Sequence, residues 1–275
     1  LRSLSLVCVA IAIIFVYLTV RRLFGRRAAT LAAFFSALSP MLLRYSEEAR
    51  MYGMAAMIVA AATYALVLLQ EKVTYRRAIA YGLLVALGML THYYTILMWV
   101  AHWVWKAAAE WDGSWRRLIR RFTIRPWLLA HGVALVAFLP WLFTMVKQMG
   151  QIQHGGFWIK PITIVSPVNA LTNLLLYKET WETTSWLAIL VLAVLVVTII
   201  AMVRLWPRLA ATMQKRYLLL LILSLAPVLL LLGLSLPPLR PSFVERYLIP
   251  AYLYTAVLLG VSIALAWRYL QRATS

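Results

Sequence analysis

The sequence predicts an all-α polytopic membrane protein of about nine transmembrane helices, on three observations. Of 275 residues, 64% are hydrophobic and 13% charged, with a mean hydropathy of +0.84. A soluble domain carries ~45–50% apolar and ~25% charged residues, so both an ordinary globular protein and a disordered chain are excluded. The apolar residues gather in segments near the ~20 residues that cross ~30 Å of hydrocarbon. Lys and Arg fall between those segments, mostly in alternate loops, as cytoplasmic loops do.

The apolar segments lie near 3–20, 28–43, 51–69, 78–91, 93–106, 127–146, 186–203, 217–235 and 248–266. Lipid offers no partner to a backbone amide, so each reads as a helix. The run 78–106 is long for one span and short for two. With two spans, 19 of the 27 basic residues fall in loops 21–27, 70–77, 106–126, 204–216 and the tail 267–275. With one, the six basic residues of 106–126 change sides and the bias blurs. Two spans put the start of this chain outside and its end inside, in one transmembrane domain over 1–275.

Two surface helices complete the reading. Over 114–125, Trp115, Leu118, Ile119 and Phe122 follow helical spacing, and four arginines occupy the other side. Ser114 is placed to cap this helix. Such a segment lies on the inner leaflet against anionic head groups. Over 167–178, Ser166-Pro167 starts an interfacial helix on the outer side. Trp127, Trp186, Trp206 and Trp267 sit at span ends as interface anchors. Tyr45, Tyr52, Tyr93, Tyr94 and Tyr247 instead stand beside ionisable residues. Cys8 is the single cysteine and sits in an apolar run, so no intrachain disulfide forms.

The net charge of +19 is spread as stripes flanking the helices. No continuous patch exists for a nucleic acid, and the charge reads as topogenic. Acidic residues distribute the other way: Glu47, Glu48, Glu179, Glu182 and Glu245 fall outside, Glu71, Glu110 and Asp112 inside. Acidic residues contribute little to orientation, so the outer set points to chemistry on that face.

Three polar clusters lie on that side. In RYSEEARMY, 44–52, Ser46 caps the third span and Glu47 and Glu48 fall in its first turn, favourable to the helix dipole. Arg50 does not fit a structural start signal so easily; amides plus a guanidinium suit a phosphate, and the alternative is plain capping with an internal Glu–Arg pair. The second cluster is Thr91-His92-Tyr93-Tyr94; a lone His at an interface is also an ordinary hydrogen-bonding residue. The third is RPSFVERYLIP, 240–250, with Arg240, Glu245 and Arg246. His102, His131 and His154 lack acidic neighbours, and no HxxxH or HxxE spacing supports a metal site. Together the clusters suit an anionic, phosphorylated substrate approached from outside.

YSEEARMYGMAAM, preceded by Leu38-Ser39-Pro40, resembles a motif of polytopic glycosyltransferases of family 39. These are relatives of the protein O-mannosyltransferases and of the aminoarabinose transferase of lipid A. RRLFGRR at 21–27, THYYT at 91–95 and ERYLIPAY at 245–252 also fit bacterial members. The resemblance implies a GT-C-like bundle with interfacial helices in a bacterial inner membrane. It implies a polyprenyl-phosphate sugar donor and transfer to a lipid, glycan or protein acceptor hydroxyl at the outer face, with inversion. It makes Arg50 and Arg246 donor-phosphate ligands. Glu48, with Glu47, is the carboxylate pair nearest the chemistry; Glu47 departs from the commoner Gln. Tyr52, His92, Tyr93 and Glu245 line the substrate pocket. The resemblance names no cofactor and leaves a divalent cation open. Family members begin with one more helix and an outer loop bearing the main catalytic acid, so the chain by itself is expected to be inactive.

Two other readings compete. A transporter or flippase for a lipid-linked or anionic solute places ionisable groups at the bilayer midplane, whereas here they cluster at one rim. A membrane scaffold without chemistry leaves the mixed Glu/Arg/Tyr clusters unexplained.

Overall fold

In the computed structural model each of the nine apolar segments coincides with a helix, and one of them with two. The structure describes residues 2–154, 185–237 and 241–273, together with 159, 161–163 and 166. The helices are α1 (Arg2–Phe24), α2 (Arg26–Ala37), α3 (Pro40–Ser46), α4 (Tyr52–Glu71), α5 (Tyr75–Thr91), α6 (Ile96–Glu110), α7 (Trp115–Phe122), α8 (Arg125–His154), α9 (Ser185–Leu205), α10 (Ala211–Gly233) and α11 (Ile249–Ala273). No strand occurs among the described residues. The expected outer helix over 167–178, Glu179, Glu182 and Arg240 lie outside them.

Five helices are long and apolar enough to cross a membrane, or six if the bent pair α2–α3 counts as one span. On that measure nine spans are not reached among the described residues. One reason is that α5 and α6 have 17 and 15 residues, short of the ~20 that hydrocarbon demands. Residues 78–106 do divide in two: α5 ends at Thr91, and Tyr93–Thr95 makes a 3₁₀ turn into α6. The second segment bends by 58° between α2 and α3. Ser39 precedes Pro40, whose ring disfavours helical backbone at the preceding residue, and Ser39 is accordingly extended, with ψ 118°. Pro140 and Pro227 lie inside unbroken helices.

Helix α1 packs on α2 and α4, α11 on α2 and α10, α5 on α4 and α8, and α10 on α6. Small residues make these approaches close, as is common between membrane helices. Ala12, Ala29, Ala32, Ala56 and Ala60 are fully buried. Across α10 and α11, Ser224 bonds Thr255 at 2.6 Å and Tyr217 bonds Ser262 at 2.7 Å. One apolar cluster joins α1, α2, α4, α6, α10 and α11; another joins α4, α5 and α8 around Trp127.

That second cluster corrects one sequence reading. Trp127 is no interface anchor: it is 1% exposed, and the Lys106 ammonium lies 4.8 Å from its ring centre. His102 and His131 are structural hydrogen-bonding residues of the same cluster. His102 Nε2 is 3.0 Å from Thr63 Oγ1 and Nδ1 is 3.0 Å from Tyr81 Oη, while Trp99 donates to His131 Nδ1. Because Thr63 donates its hydroxyl proton to Val59 O, its oxygen accepts from His102 Nε2–H. Nδ1 then accepts from Tyr81, so both nitrogens of His102 are paired.

One end of the bundle is tied by cations. Arg22 pairs with Glu71 at 2.8 Å, Arg216 donates to Leu23 O, and Asp112 meets Arg117 at 2.9 Å and Arg121 at 3.1 Å. Glu110 pairs with the buried Lys106. All three acids at this end are therefore engaged in ion pairs. Helix α7 lies here too, with Ser114 Oγ accepting from Arg117 N as its cap. Leu118 faces inward, while Trp115 and Ile119 are exposed.

Candidate functional site

At the other end, the segment joining α3 to α4 carries the densest polar cluster, but not as its sequence suggests. Ser46 does not cap α4. It closes α3, where its hydroxyl donates to Leu43 O. Helix α4 begins at Tyr52 without a side-chain cap. Glu47 and Glu48 thus lie in the connection rather than in a first helical turn, so the helix-dipole account of them fails. What holds the connection is tertiary: Ser5 Oγ of α1 donates to Glu48 O at 2.6 Å and reaches Arg50 O at 3.4 Å.

The Glu48 carboxylate sits between two guanidinium groups. Arg44 Nη2 is 3.6 Å from Oε1 and Arg50 Nε is 3.5 Å from Oε2. Arg44 and Arg50 are largely exposed, and Glu48 half-buried. Arg2, Arg44, Glu47, Glu48, Ala49 and Arg50 line an open pocket of about 430 Å³. Three cations thus face two carboxylates, a surplus that suits an anion. Glu47 is exposed and makes no ion pair among the described residues.

Tyr52, 5% exposed, is the next layer inward, and its phenol interacts with both Arg50 and Arg246. Arg246 lies in the 3₁₀ turn Glu245–Leu248 that leads into α11. Its guanidinium also reaches the Tyr247 phenol, with its carbon 5.9 Å from that ring centre. One buried ring therefore joins the two cations expected from the sequence to meet a phosphate, although Arg246 does not itself line the pocket.

An aromatic row backs this arrangement. Ring centres are 5.3 Å apart for Tyr45 and Tyr52, 5.5 Å for Tyr52 and His92, and 5.0 Å for His92 and Tyr247. Tyr94 stacks on Tyr247 at 4.5 Å and 17°. The α5–α6 turn places His92 there, where burial and then the positive charge of Arg246 lower its pKa to about 4. The ring is neutral at pH 7 and packs among Tyr52, Tyr94 and Tyr247. Glu245 faces the buried Tyr252 phenol together with Tyr45.

Tyr93 parts from the group. Its hydroxyl donates to Gln148 and accepts from Trp141, both on α8. Sequence reasoning missed Arg2, Arg44 and Ser5. Arg44 stands four residues before Glu48, a helical pairing distance that could have signalled it. Arg2 and Ser5 arrive only because α1 packs on α4. Among the described residues no group of three or more His, Cys, Asp or Glu gathers as a metal site would require.

The profile of the family described as dolichyl-phosphate-mannose-protein mannosyltransferase matches residues 1–143, just over half of the chain and the stretch that contains the whole pocket. No curated protein matches. Among solved structures, the crystal structure of ArnT from Cupriavidus metallidurans in the apo state is similar, with a TM-score of 0.60 and 16% identity. The match covers 96% of this chain and 45% of that one. Likeness at that identity is one of fold, of the GT-C kind, and the chain spans less than half the length of that structure.

Proposed function

The chain belongs to the dolichyl-phosphate-mannose-protein mannosyltransferase family, and we propose that it serves a glycosyltransferase acting at the outer face of a bacterial inner membrane. The donor is a sugar on a polyprenyl phosphate, and the acceptor is a hydroxyl of a lipid, glycan or protein. The acceptor oxygen attacks the anomeric carbon, the bond from that carbon to the phosphate oxygen breaks, and the configuration inverts. The acceptor proton passes to a carboxylate, and the lipid phosphate leaves with the bonding electrons.

The observation that carries this reading is the convergence of Arg2, Arg44 and Arg50 on one open pocket, with Arg246 joined to it through Tyr52. Fixed cations stabilise the charge that grows on a departing phosphate. Glu48, facing two guanidinium groups, orients them; among the described residues Glu47, exposed on the same wall, is the pocket carboxylate open to an acceptor proton. His92 and the tyrosines bound the space behind.

The test is Arg50→Ala and Arg50→Lys, read by binding of a polyprenyl-phosphate sugar to the purified protein. Loss of a charged hydrogen-bonding partner is worth ~1.5–3 kcal/mol, so donor affinity should fall by roughly 10- to 100-fold. Lys should recover part of it, because it keeps the charge but loses the guanidinium fork. Unchanged donor binding by Arg50→Ala would end the assignment.

A further inference from the structure

Helices α2 and α11 cross where Gly260 meets Ala32. A Cβ at Gly260 would fall 2.7 Å from backbone atoms of Leu31 and Ala32, so only glycine permits this contact. Beyond the crossing the two helices leave a groove of about 920 Å³ between them, at the end opposite the candidate site. Leu31, Ile263 and Leu265 give it an apolar lining, and Trp267 stands at its side 61% exposed. Arg26, Arg27 and Arg268 line it as well, and all three are exposed. No acidic residue lines it, and none of the three arginines takes part in an ion pair among the described residues. The contrast with Arg22 is informative: one turn before Arg26, it is paired with Glu71 and Tyr64.

We propose that this groove binds an anionic phospholipid of the leaflet at that end. Its phosphate sits among Arg26, Arg27 and Arg268, and an acyl chain follows Leu31 and Leu265. The pairing of charge with apolar floor selects this occupant. A free anion satisfies the arginines but leaves the apolar groove wet, whereas an uncharged lipid fills the groove and leaves three cations unmatched. Arginine also suits a phosphate geometrically, through paired N–H donors. A tryptophan beside the head group completes the pattern of a membrane interface. This site is independent of the transfer reaction, since none of its residues belongs to the candidate active site.

The test is native mass spectrometry of the detergent-purified chain exchanged into phosphatidylglycerol or phosphatidylcholine. The wild type should retain phosphatidylglycerol at least ten times better. The triple variant Arg26→Gln, Arg27→Gln, Arg268→Gln should lose that preference. Thr30→Trp, which crowds the groove and keeps every charge, should lower retention as well. The control Lys72→Gln, Arg76→Gln, Arg204→Gln removes three exposed charges away from both the groove and α7 and should leave retention intact; equal loss in that control would mean a diffuse charge effect and overturn the site. Displacement of phosphatidylglycerol by millimolar inorganic phosphate would also overturn it, as would undiminished retention by the triple variant. Thermal unfolding of each variant in detergent separates a misfolded protein from an empty groove.

Discussion

Gly82 and Gly132 are both interior helical glycines, on α5 and α8, and these helices pack together; the structure predicts opposite outcomes for Ala at the two positions. A Cβ at Gly82 would lie 2.2 Å from the Ala130 carbonyl oxygen, 3.1 Å from its carbon and 3.1 Å from Val133 Cβ. Carbon atoms in comfortable contact stand ~3.5–4.0 Å apart, so the methyl overlaps its neighbours by roughly 1 Å. The obstacle is backbone, and no rotamer change relieves it. The helices must separate, at a cost of ~1–3 kcal/mol, of which the better helix propensity of Ala offsets up to ~1 kcal/mol. Gly132 has nothing within 4 Å of its added Cβ, so Gly132→Ala keeps the propensity gain and should be neutral or stabilising. The assay is thermal unfolding in detergent. At ~2–4 °C per kcal/mol for a chain of this size, Gly82→Ala should melt several degrees lower, and Gly132→Ala at or above wild type. The shift should also reach the candidate site, because α5 ends beside His92 and Tyr93 rests on α8. A Gly82→Ala protein as stable as wild type would refute the packing described here.

Two further outcomes can be checked. His92 holds a pKa near 4 in the folded chain against 6.5 ordinarily, so as pH falls the unfolded chain takes up its proton first. The stability held by the neutral ring is complete above about 6.5 and is lost between there and 4; His92→Gln should flatten that part of the stability–pH curve, and identical slopes would contradict the burial of the ring. Cys8 is buried, so added cysteines report orientation: in intact cells an impermeant thiol reagent should label Ala49→Cys and spare Gly113→Cys, and the reverse pattern would invert the proposed topology.

How far the sequence could be read depended on the range of the forces involved. Hydropathy is local, and each of the nine apolar segments contains a helix; residues 78–106 do break into two helices, though neither is long enough by itself to count as a span. Leu38-Ser39-Pro40 contained its own bend, since the restriction before proline acts between neighbours. The capping role of Ser46 failed for the opposite reason. Its local pattern suited a helix start, but Ser5 from α1 holds the connection and α4 starts later. Trp127 stood at a span end and looked like an anchor until α5, α6 and α8 closed around it.

From the sequence alone came the class of protein, its helices, and the resemblance carried by YSEEARMY. These depend on composition, period and short motifs, which need no neighbour to be recognised. Only the packed bundle decided that Glu48 lies between Arg44 and Arg50, that Arg2 joins their pocket, and that Tyr93 leaves it for α8. It alone also drew Arg268 beside Arg26, more than two hundred residues away in the chain. Such contacts are set by which helix faces meet, and in lipid, where every face is apolar, steric fit between small residues chooses among them.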